Sequence, residues 1–425
     1  MNMSRPLLTT EQVAERLGVK PATIYAYVSR GLLRSLRNAD GKNSLFAKAD
    51  VDAFEAGRRR TTTPTIQTGI TLIKDGDLYY RGRDAVVLAV TEEFEAVASL
   101  LWTNELDGTA FPINRDLIGL AEQVTEPLPD TARLTDRLRV TVAAVAAADP
   151  MRFDTSPAAV VATGRQLLST MVHALPTRTT NARSTRTKNP RPARTTNARS
   201  ARTTDAQPPR TTLPVTPVSL AESLWSRLTA EPPTDASLRA LNAALILLAD
   251  HDIAASTLAA RVAASTRAHP YAVVSAGLAA LDGPLHGAAS ALAYSLLAKS
   301  GEDPLAAVSD RLRTAGSSGT IPGFGHHLYP GGDPRAIALF KLLDGPVLES
   351  AERLASIVRT RSGVEPNIDL ALAALSLSCG MPADAGEAIF AVARTAGWLA
   401  HALEEYEDRP LRYRPSGRYA GETPT

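Results

Sequence analysis

From about residue 113 onward this 425-residue chain reads almost entirely as helix, and that narrows its fold more than anything else in it. Apolar residues recur at three- and four-residue spacing. Alanine-rich runs at 142–148, 242–249 and 257–265 let neighbouring helices approach closely. Alanine and leucine are also the strongest helix formers. The length exceeds one small domain, so a mostly α architecture of two or three domains is expected. One stretch breaks the pattern. Arg178-Thr179-Thr180-Asn181-Ala182-Arg183-Ser184 recurs at Arg194 to Ser200, and a degenerate copy starts at Arg202. Residues 177–216 have no apolar period and are rich in Pro, Thr and Arg. They read as a disordered basic insertion, either functionally neutral or a weak attachment point for nucleic acid or a partner.

The net charge of +2 conceals an uneven distribution. Residues 1–60 carry 11 Lys/Arg against 6 Asp/Glu, and 177–212 carry nine against Asp205 alone, so the remainder is acidic. A basic head and a basic insertion suggest nucleic-acid contact for those parts and argue against it for the body. The single cysteine, Cys379, excludes an intramolecular disulfide and fits a reducing compartment. No basic and apolar leader opens the chain, and no run of about 18 apolar residues occurs. A cytoplasmic location without membrane contact is the expectation.

Residues 1–60 form the first expected domain. Leu7 to Val19 reads as a short helix capped by Thr9 or Thr10 and ended by Gly18. Pro21 to Arg30 reads as a second, with Pro21 near its first turn and Gly31 beyond its end. Leu32 to Arg37 and Lys42 to Ala47 read as a hairpin around Asn38-Ala39-Asp40-Gly41, and Ala49 to Phe54 starts a last helix. This is the pattern of a winged helix-turn-helix. On DNA, Thr23, Tyr25, Tyr27 and Arg30 would face the major groove or its phosphates. Arg34, Arg37 and Lys42 would meet the backbone from the wing. Only one of the two tyrosines can be an exposed reader if the other packs the helix core. The alternative is a head that docks on its own body or a partner.

The body, 65–425, starts with a hairpin turning at Asp75-Gly76 and an amphipathic helix over Phe94 to Trp102. Five clusters further on carry chemistry. His251 ends an apolar helix in Asp250-His251-Asp252. His286 lies between glycines in Gly283-Pro284-Leu285-His286-Gly287, where a helix begins; a helix N-terminus disfavours the imidazolium, so the ring should be neutral. Ile321-Pro322-Gly323-Phe324-Gly325-His326-His327 runs on to Asp333-Pro334-Arg335, combining a close-approach backbone, a proton donor and an anion clamp. Asp369, in Pro366-Asn367-Ile368-Asp369, is a lone carboxylate among apolar residues. Desolvation would strengthen it as a base while the helix end keeps it ionised. Arg394 and Arg414 are basic residues near the C-terminus. Singly, each cluster has an ordinary reading as turn, cap or core. Together they suit a substrate with two or more carboxylates, joined through an enol. No His-Glu-x-x-His or Cys-x-x-Cys pattern points to a metal.

In this order and spacing the five clusters resemble the citrate synthase family, from about residue 65 to 421. The head resembles the MerR and excisionase type of helix-turn-helix. The resemblance implies a mostly α two-domain homodimer, with a small domain at about 288–380 closing over a large one. It implies condensation of acetyl-CoA with oxaloacetate and water to citrate and CoA, with no metal and no cofactor beyond the CoA thioester substrate. By motif, Asp369 would take a methyl proton, His286 would stabilise the enol, and His326 would protonate the oxaloacetate carbonyl. His251, Arg335 and Arg394 would hold carboxylates, Arg414 would reach in from the partner subunit, and Ile321 to Gly325 would cradle the adenine of CoA. The usual Glu and Asn around the first His are replaced by Asp252 and Ala254. The usual aromatic run after the catalytic Asp is replaced by Leu370-Ala371-Leu372, and the residue after His326 is His327. These changes keep propionyl-CoA, giving 2-methylcitrate, open as the alternative substrate, since one methylene changes discrimination by only about 1–3 kcal/mol. A further alternative is a regulator whose body senses acyl-CoA or a dicarboxylate.

Overall fold

A computed structural model describes residues 7–29, 33, 35–37, 44–59, 66–179, 218–301, 303–315 and 321–413. Arg30, Arg34, Lys42, Arg414 and all but the first three residues of the 177–216 insertion lie outside these, as does the side chain of Arg37. The chain divides into two compact units, Met1–Gln67 and Thr68–Thr425.

The first unit runs β1 (Leu7–Thr9), α1 (Thr10–Leu17), α2 (Pro21–Ser29), β2 (Leu36–Arg37), β3 (Ser44–Ala47) and α3 (Lys48–Arg59). Its sheet has the order β1-β3-β2, and all pairs are antiparallel. Of the two caps that the sequence offers for the first helix, Thr9 is the one used, and Leu7–Thr9 before it is a strand, with Leu8 opposite Phe46. The cause is a reciprocal cap. The Thr9 hydroxyl accepts from Gln12 N and the Gln12 side chain accepts from Thr9 N, fixing the helix start at Thr10. Val13, Leu17, Ile24, Leu33, Phe46 and Val51 form the core. Tyr27 packs its ring 5.1 Å from that of Phe54, while Tyr25 is 57% exposed.

The second unit opens with an antiparallel sheet of β4 (Thr71–Lys74), β5 (Asp77–Tyr80) and β6 (Arg83–Asp84). Asp75 and Gly76, both at positive φ, make the tight turn between β4 and β5. Fifteen helices follow among the described residues: α4 (Ala85–Thr91), α5 (Phe94–Thr103), α6 (Arg115–Thr125), α7 (Leu134–Ala148), α8 (Pro157–His173), α9 (Leu220–Leu228), α10 (Asp235–Leu248), α11 (Ala255–Ser265), α12 (Pro270–Leu281), α13 (Ala289–Ser300), α14 (Pro304–Ala315), α15 (Pro334–Phe340), α16 (Pro346–Ser362), α17 (Ile368–Ser378) and α18 (Ala385–Glu407). Proline in the first turn helps start α8, α12, α15 and α16. Among these described residues no helix is long and apolar enough to cross a membrane.

The 23-residue α18 is the hub, buried along nearly its whole length and packed on α5, α8, α10, α11 and α12. Its Trp398 lies against Gly277 of α12, where a Cβ would come within 2.5 Å of the indole. The helix expected to be amphipathic, α5, is buried from Phe94 to Trp102, because α10 covers one side and α18 another. Around α18 lies the larger apolar core. A smaller core of Ala293, Leu296, Val308, Leu354, Val358 and Leu370 joins α13, α14, α16 and α17. The chain around the insertion is tied to α9 and α5. Arg178 N donates to Ser226 O, Arg227 donates to Leu175 O and Thr177, and Glu95 accepts from Leu220 N.

Candidate active site

His251 follows α10, where the chain turns through Asp252 at φ 52° before α11. Aspartate tolerates this left-handed conformation better than most residues. The segment is pinned on two sides. The Tyr80 hydroxyl reaches the carbonyls of Ile246, Leu247 and Asp250, and Gly397 N of α18 donates to Ala249 O at 3.0 Å. Gly397 permits that approach, since a Cβ there would lie 2.4 Å from Ala249 O and 2.5 Å from Asp250 Oδ1.

Three elements bring the other groups to His251. Its ring meets that of His326 edge-on at 5.1 Å, and its Nε2 lies 2.9 Å from the Tyr329 hydroxyl. From α18, Arg394 is buried; its Nε donates to Leu248 O, while Nη1 and Nη2 have no partner among the described residues. Phe390, one turn earlier, lies under the Arg394 guanidinium at 4.7 Å and against the His286 ring at 5.5 Å. His286 itself sits in the turn before α13, with Nε2 2.8 Å from Ser256 Oγ at the start of α11.

Arg335 sits in the first turn of α15 and is gripped by Asp333, the residue that caps that helix. Its Nε donates to Asp333 Oδ1 at 3.0 Å and its Nη2 to Asp333 Oδ2 at 2.8 Å. Of the arginines expected to hold carboxylates, Arg335 therefore comes with its fork largely engaged and Arg394 with its fork free. Asp333 also accepts from Ile368 N at 3.0 Å, which ties α17 and its Asp369 to the same cluster. Asn367 caps α17, and Asp369 Oδ1 is shielded from solvent with no partner among the described residues.

The loop Ile321–Gly325 lies against residues 365–367. Gly325 N donates to Glu365 O, Asn367 N to Gly323 O, and Asn367 Nδ2 to Gly325 O. Gly323 and Gly325 both have positive φ, and a Cβ on Gly323 would press on Leu370 at 2.9 Å.

Electrostatics separate the groups into one base and three neutral rings. Burial pushes the Asp369 carboxyl up to about 7, although Arg335 pulls the other way. Burial takes His286 down to about 4, with Arg394 adding to it. His326 is likewise held down to about 4 by burial and by Arg335. Burial, then Arg335 and Arg394, holds His251 well below its usual range. The His286 ring is thus neutral as the sequence suggests, but through burial and Arg394 more than through the helix end. Leu328 N donates to His326 Nδ1, so the neutral ring carries its proton on Nε2. Burial lowers Arg394 to about 10.

Sequence reasoning passed over Tyr329, Ser256, Asp333 as the clamp on Arg335, and Asp250. Asp250 is fully buried, accepts from Thr71 at 2.5 Å and faces His401 Nε2 at 3.2 Å. Arg261 can only donate to His401 Nδ1, so the His401 proton is on Nε2 and goes to Asp250. Arg261 in turn pairs with Glu404 and Glu405, and Glu405 binds Arg412 and Tyr413. The order of residues hinted at none of this, because the groups that meet are far apart in the chain: Thr71 with Asp250, Asp250 with His401, and Arg261 with Glu404 and Glu405. No group of three or more His, Cys, Asp or Glu suited to a metal occurs among the described residues.

Comparison with known proteins agrees with this geometry. The pattern of the family described as citrate synthase, C-terminal domain, matches residues 60–416, and that of a helix-turn-helix domain matches 7–59. The chain is 37% identical to citrate synthase 2 of Bacillus subtilis over 210 residues, which is 48% of this chain and 56% of that protein. It is 35% identical to the citrate synthase of Saccharolobus solfataricus over 216 residues, covering 48% and 57%. It thus spans a little over half the length of these curated relatives. A longer match, 28% identical over 373 residues, joins it to 2-methylcitrate synthase 2 of Corynebacterium glutamicum, covering 81% and 89%. Among solved structures, the ternary complex of carboxymethyl coenzyme A and oxaloacetate with the citrate synthase of Thermoplasma acidophilum superposes with a TM-score of 0.65 at 25% identity, over 87% of this chain and 97% of that one. With the match covering most of its length and the acid, histidines and arginines of five separate motifs gathered around α18, the chain belongs to the citrate synthase family.

Proposed function

We propose that the chain condenses acetyl-CoA with oxaloacetate and water, releasing citrate and CoA. One observation carries this reading. A carboxyl raised to about 7 with one oxygen shielded from solvent, Asp369, shares a site with histidines held neutral and with an arginine whose two terminal nitrogens are buried without partners among the described residues. Asp369, ionised near neutral pH, removes a proton from the acetyl methyl. With the Ser256 hydroxyl turned to donate to His286 Nε2, 2.8 Å away, the ring proton lies on Nδ1, where it meets the thioester oxygen and stabilises the enol. The enol carbon attacks the keto carbon of oxaloacetate, and His326 gives its Nε2 proton to the carbonyl oxygen that becomes the hydroxyl. Water then cleaves the thioester and releases the CoA thiol. Arg394 and His251 hold carboxylates, with Arg335 supporting them from its Asp333 clamp. Ile321 to Gly325 takes the adenine of CoA along its backbone. The smaller core around α13, α14, α16 and α17 moves as the closing domain, and Arg414 completes the site of a partner subunit in a homodimer.

Propionyl-CoA is the second acyl donor to weigh, because a curated match over 373 residues is to a 2-methylcitrate synthase and aliphatic side chains follow Asp369. The head contacts DNA through α2, where the exposed Tyr25 and the half-buried Thr23 lie on the helix that a helix-turn-helix inserts in the groove. CoA release by the purified protein, with oxaloacetate and either thioester, tests the enzyme reading beside an Asp369→Ala control. Turnover lost in the control supports it, and the ratio of rates names the donor. Oxaloacetate binding without turnover points instead to a sensor body on a DNA-binding head.

A further inference from the structure

Between His251, His326 and Arg335 stands a side chain without a role so far, Tyr329. It is 2% exposed, its ring lies 4.9 Å from that of His326 and 5.5 Å from that of His251, and the Arg335 guanidinium sits 5.6 Å above it. Its hydroxyl and His251 Nε2 share one hydrogen bond of 2.9 Å, the only one that either side chain makes among the described residues.

Counting protons makes this bond informative. The neutral His251 ring carries one N–H, and the Tyr329 phenol carries one O–H. Two protons meet across a single hydrogen bond, so one donor is left over whichever way the bond runs. Arg394, close enough to bear on the charge of both groups, adds two buried nitrogens that also lack acceptors. This corner of the site therefore has more donors than acceptors, and a ligand rich in anionic oxygen redresses the balance.

We propose that Tyr329 is a substrate-contacting residue: His251 donates its Nε2 proton to the phenol oxygen, and the Tyr329 O–H donates to an oxygen of the bound 2-oxo dicarboxylate. The hydroxyl proton swings about its C–O bond, so it can meet the ligand without moving the ring. The ring stays packed between His326 and Arg335. The identity of the ligand rests on the proposed condensation; the surplus donor does not.

The test compares full-length wild type with Tyr329→Phe, which keeps the ring and deletes the hydroxyl. Calorimetric titration with oxaloacetate should show affinity weakened about ten- to a hundredfold, the range of a hydrogen bond to a charged group. The KM for acetyl-CoA at saturating oxaloacetate should change less than about twofold, and the melting temperature should stay put. The same substitution made on His251→Ala should weaken affinity again. If His251→Ala absorbs the whole effect, Tyr329 only orients His251 and the proposal is wrong. Unchanged affinity in Tyr329→Phe also overturns it. Wild type that binds oxaloacetate without releasing CoA sinks the synthase reading and leaves the Tyr329 result standing. Wild type that binds no oxaloacetate ends both.

Discussion

Asp333 Oδ2 accepts the backbone N–H of Ile368 at 3.0 Å while the same carboxylate grips Arg335 with both oxygens. One acid thus fixes an expected substrate arginine and the helix start that presents Asp369, the proposed base. Asp333→Ala leaves a buried guanidinium without its counter-charge. Breaking such a pair costs about 3–5 kcal/mol. Chemical denaturation should register that loss, and CoA release should fall with it because α17 loses its tether.

The raised carboxyl of Asp369 sets a pH profile. The rate needs the ionised form, so kcat/KM for acetyl-CoA should climb with pH and level off above about 7. Stability should run the other way. A carboxyl whose folded pKa lies above its ordinary 3.8 contributes stability that is present below about 4 and lost as pH rises through about 7. Denaturation from pH 4 to 8 should show that decline in wild type and a shallower one in Asp369→Asn. Parallel curves would show that Asp369 is not the group responsible.

Among the described residues Arg394 is held by a single bond from Nε, with Nη1 and Nη2 unmatched in the interior. Arg394→Gln should therefore abolish measurable oxaloacetate binding while changing stability by no more than about 1 kcal/mol, since it removes a burden along with a bond. Calorimetry and thermal unfolding on the same preparation check both halves.

Gly397→Ala drives a methyl into Ala249 O and Asp250 Oδ1. Overpacking of this kind costs about 1–3 kcal/mol. The displaced segment carries His251, so the KM for oxaloacetate should rise while that for acetyl-CoA holds.

The chain flanking 180–217 is anchored at Leu175, Thr177, Arg178 and Leu220 independently of what lies between. Replacing 180–217 with a short Gly-Ser linker should leave CoA release unchanged. Shortening a loop severalfold alters closure entropy by only about 1–2 kcal/mol. Loss of folding would assign the insertion a structural task.

The helical character was readable because alanine, leucine and three- to four-residue spacing speak locally. The hairpin at Asp75-Gly76 was readable for the same reason, since two positive-φ positions are written in two adjacent letters. Local signals also placed Asp369 at a helix start and His251 just past a helix end. What escaped was set by distant partners. Nothing near Leu7 announces that it pairs with Ala47, and nothing near Phe94 says that α10 and α18 will cover the polar face expected there. Tyr25 and Tyr27 differ only in that Phe54, half a domain away, takes one of them. Asp250 is one letter from a histidine that drew notice, yet its partners Thr71 and His401 are far off in the chain.

In α18, Phe390, Arg394, Gly397, His401 and Glu405 recur at steps of four, three, four and four. At 3.6 residues per turn these positions climb one face. That helix is a ruler on which an aromatic shelf, an anion clamp, a gap for a neighbouring loop and two ends of a charge ladder are marked off. Inserting or deleting one residue between Phe390 and Glu405 would rotate every later mark by about 100°. On that geometry α18 can be revised only by exchanging letters in place, never by lengthening it.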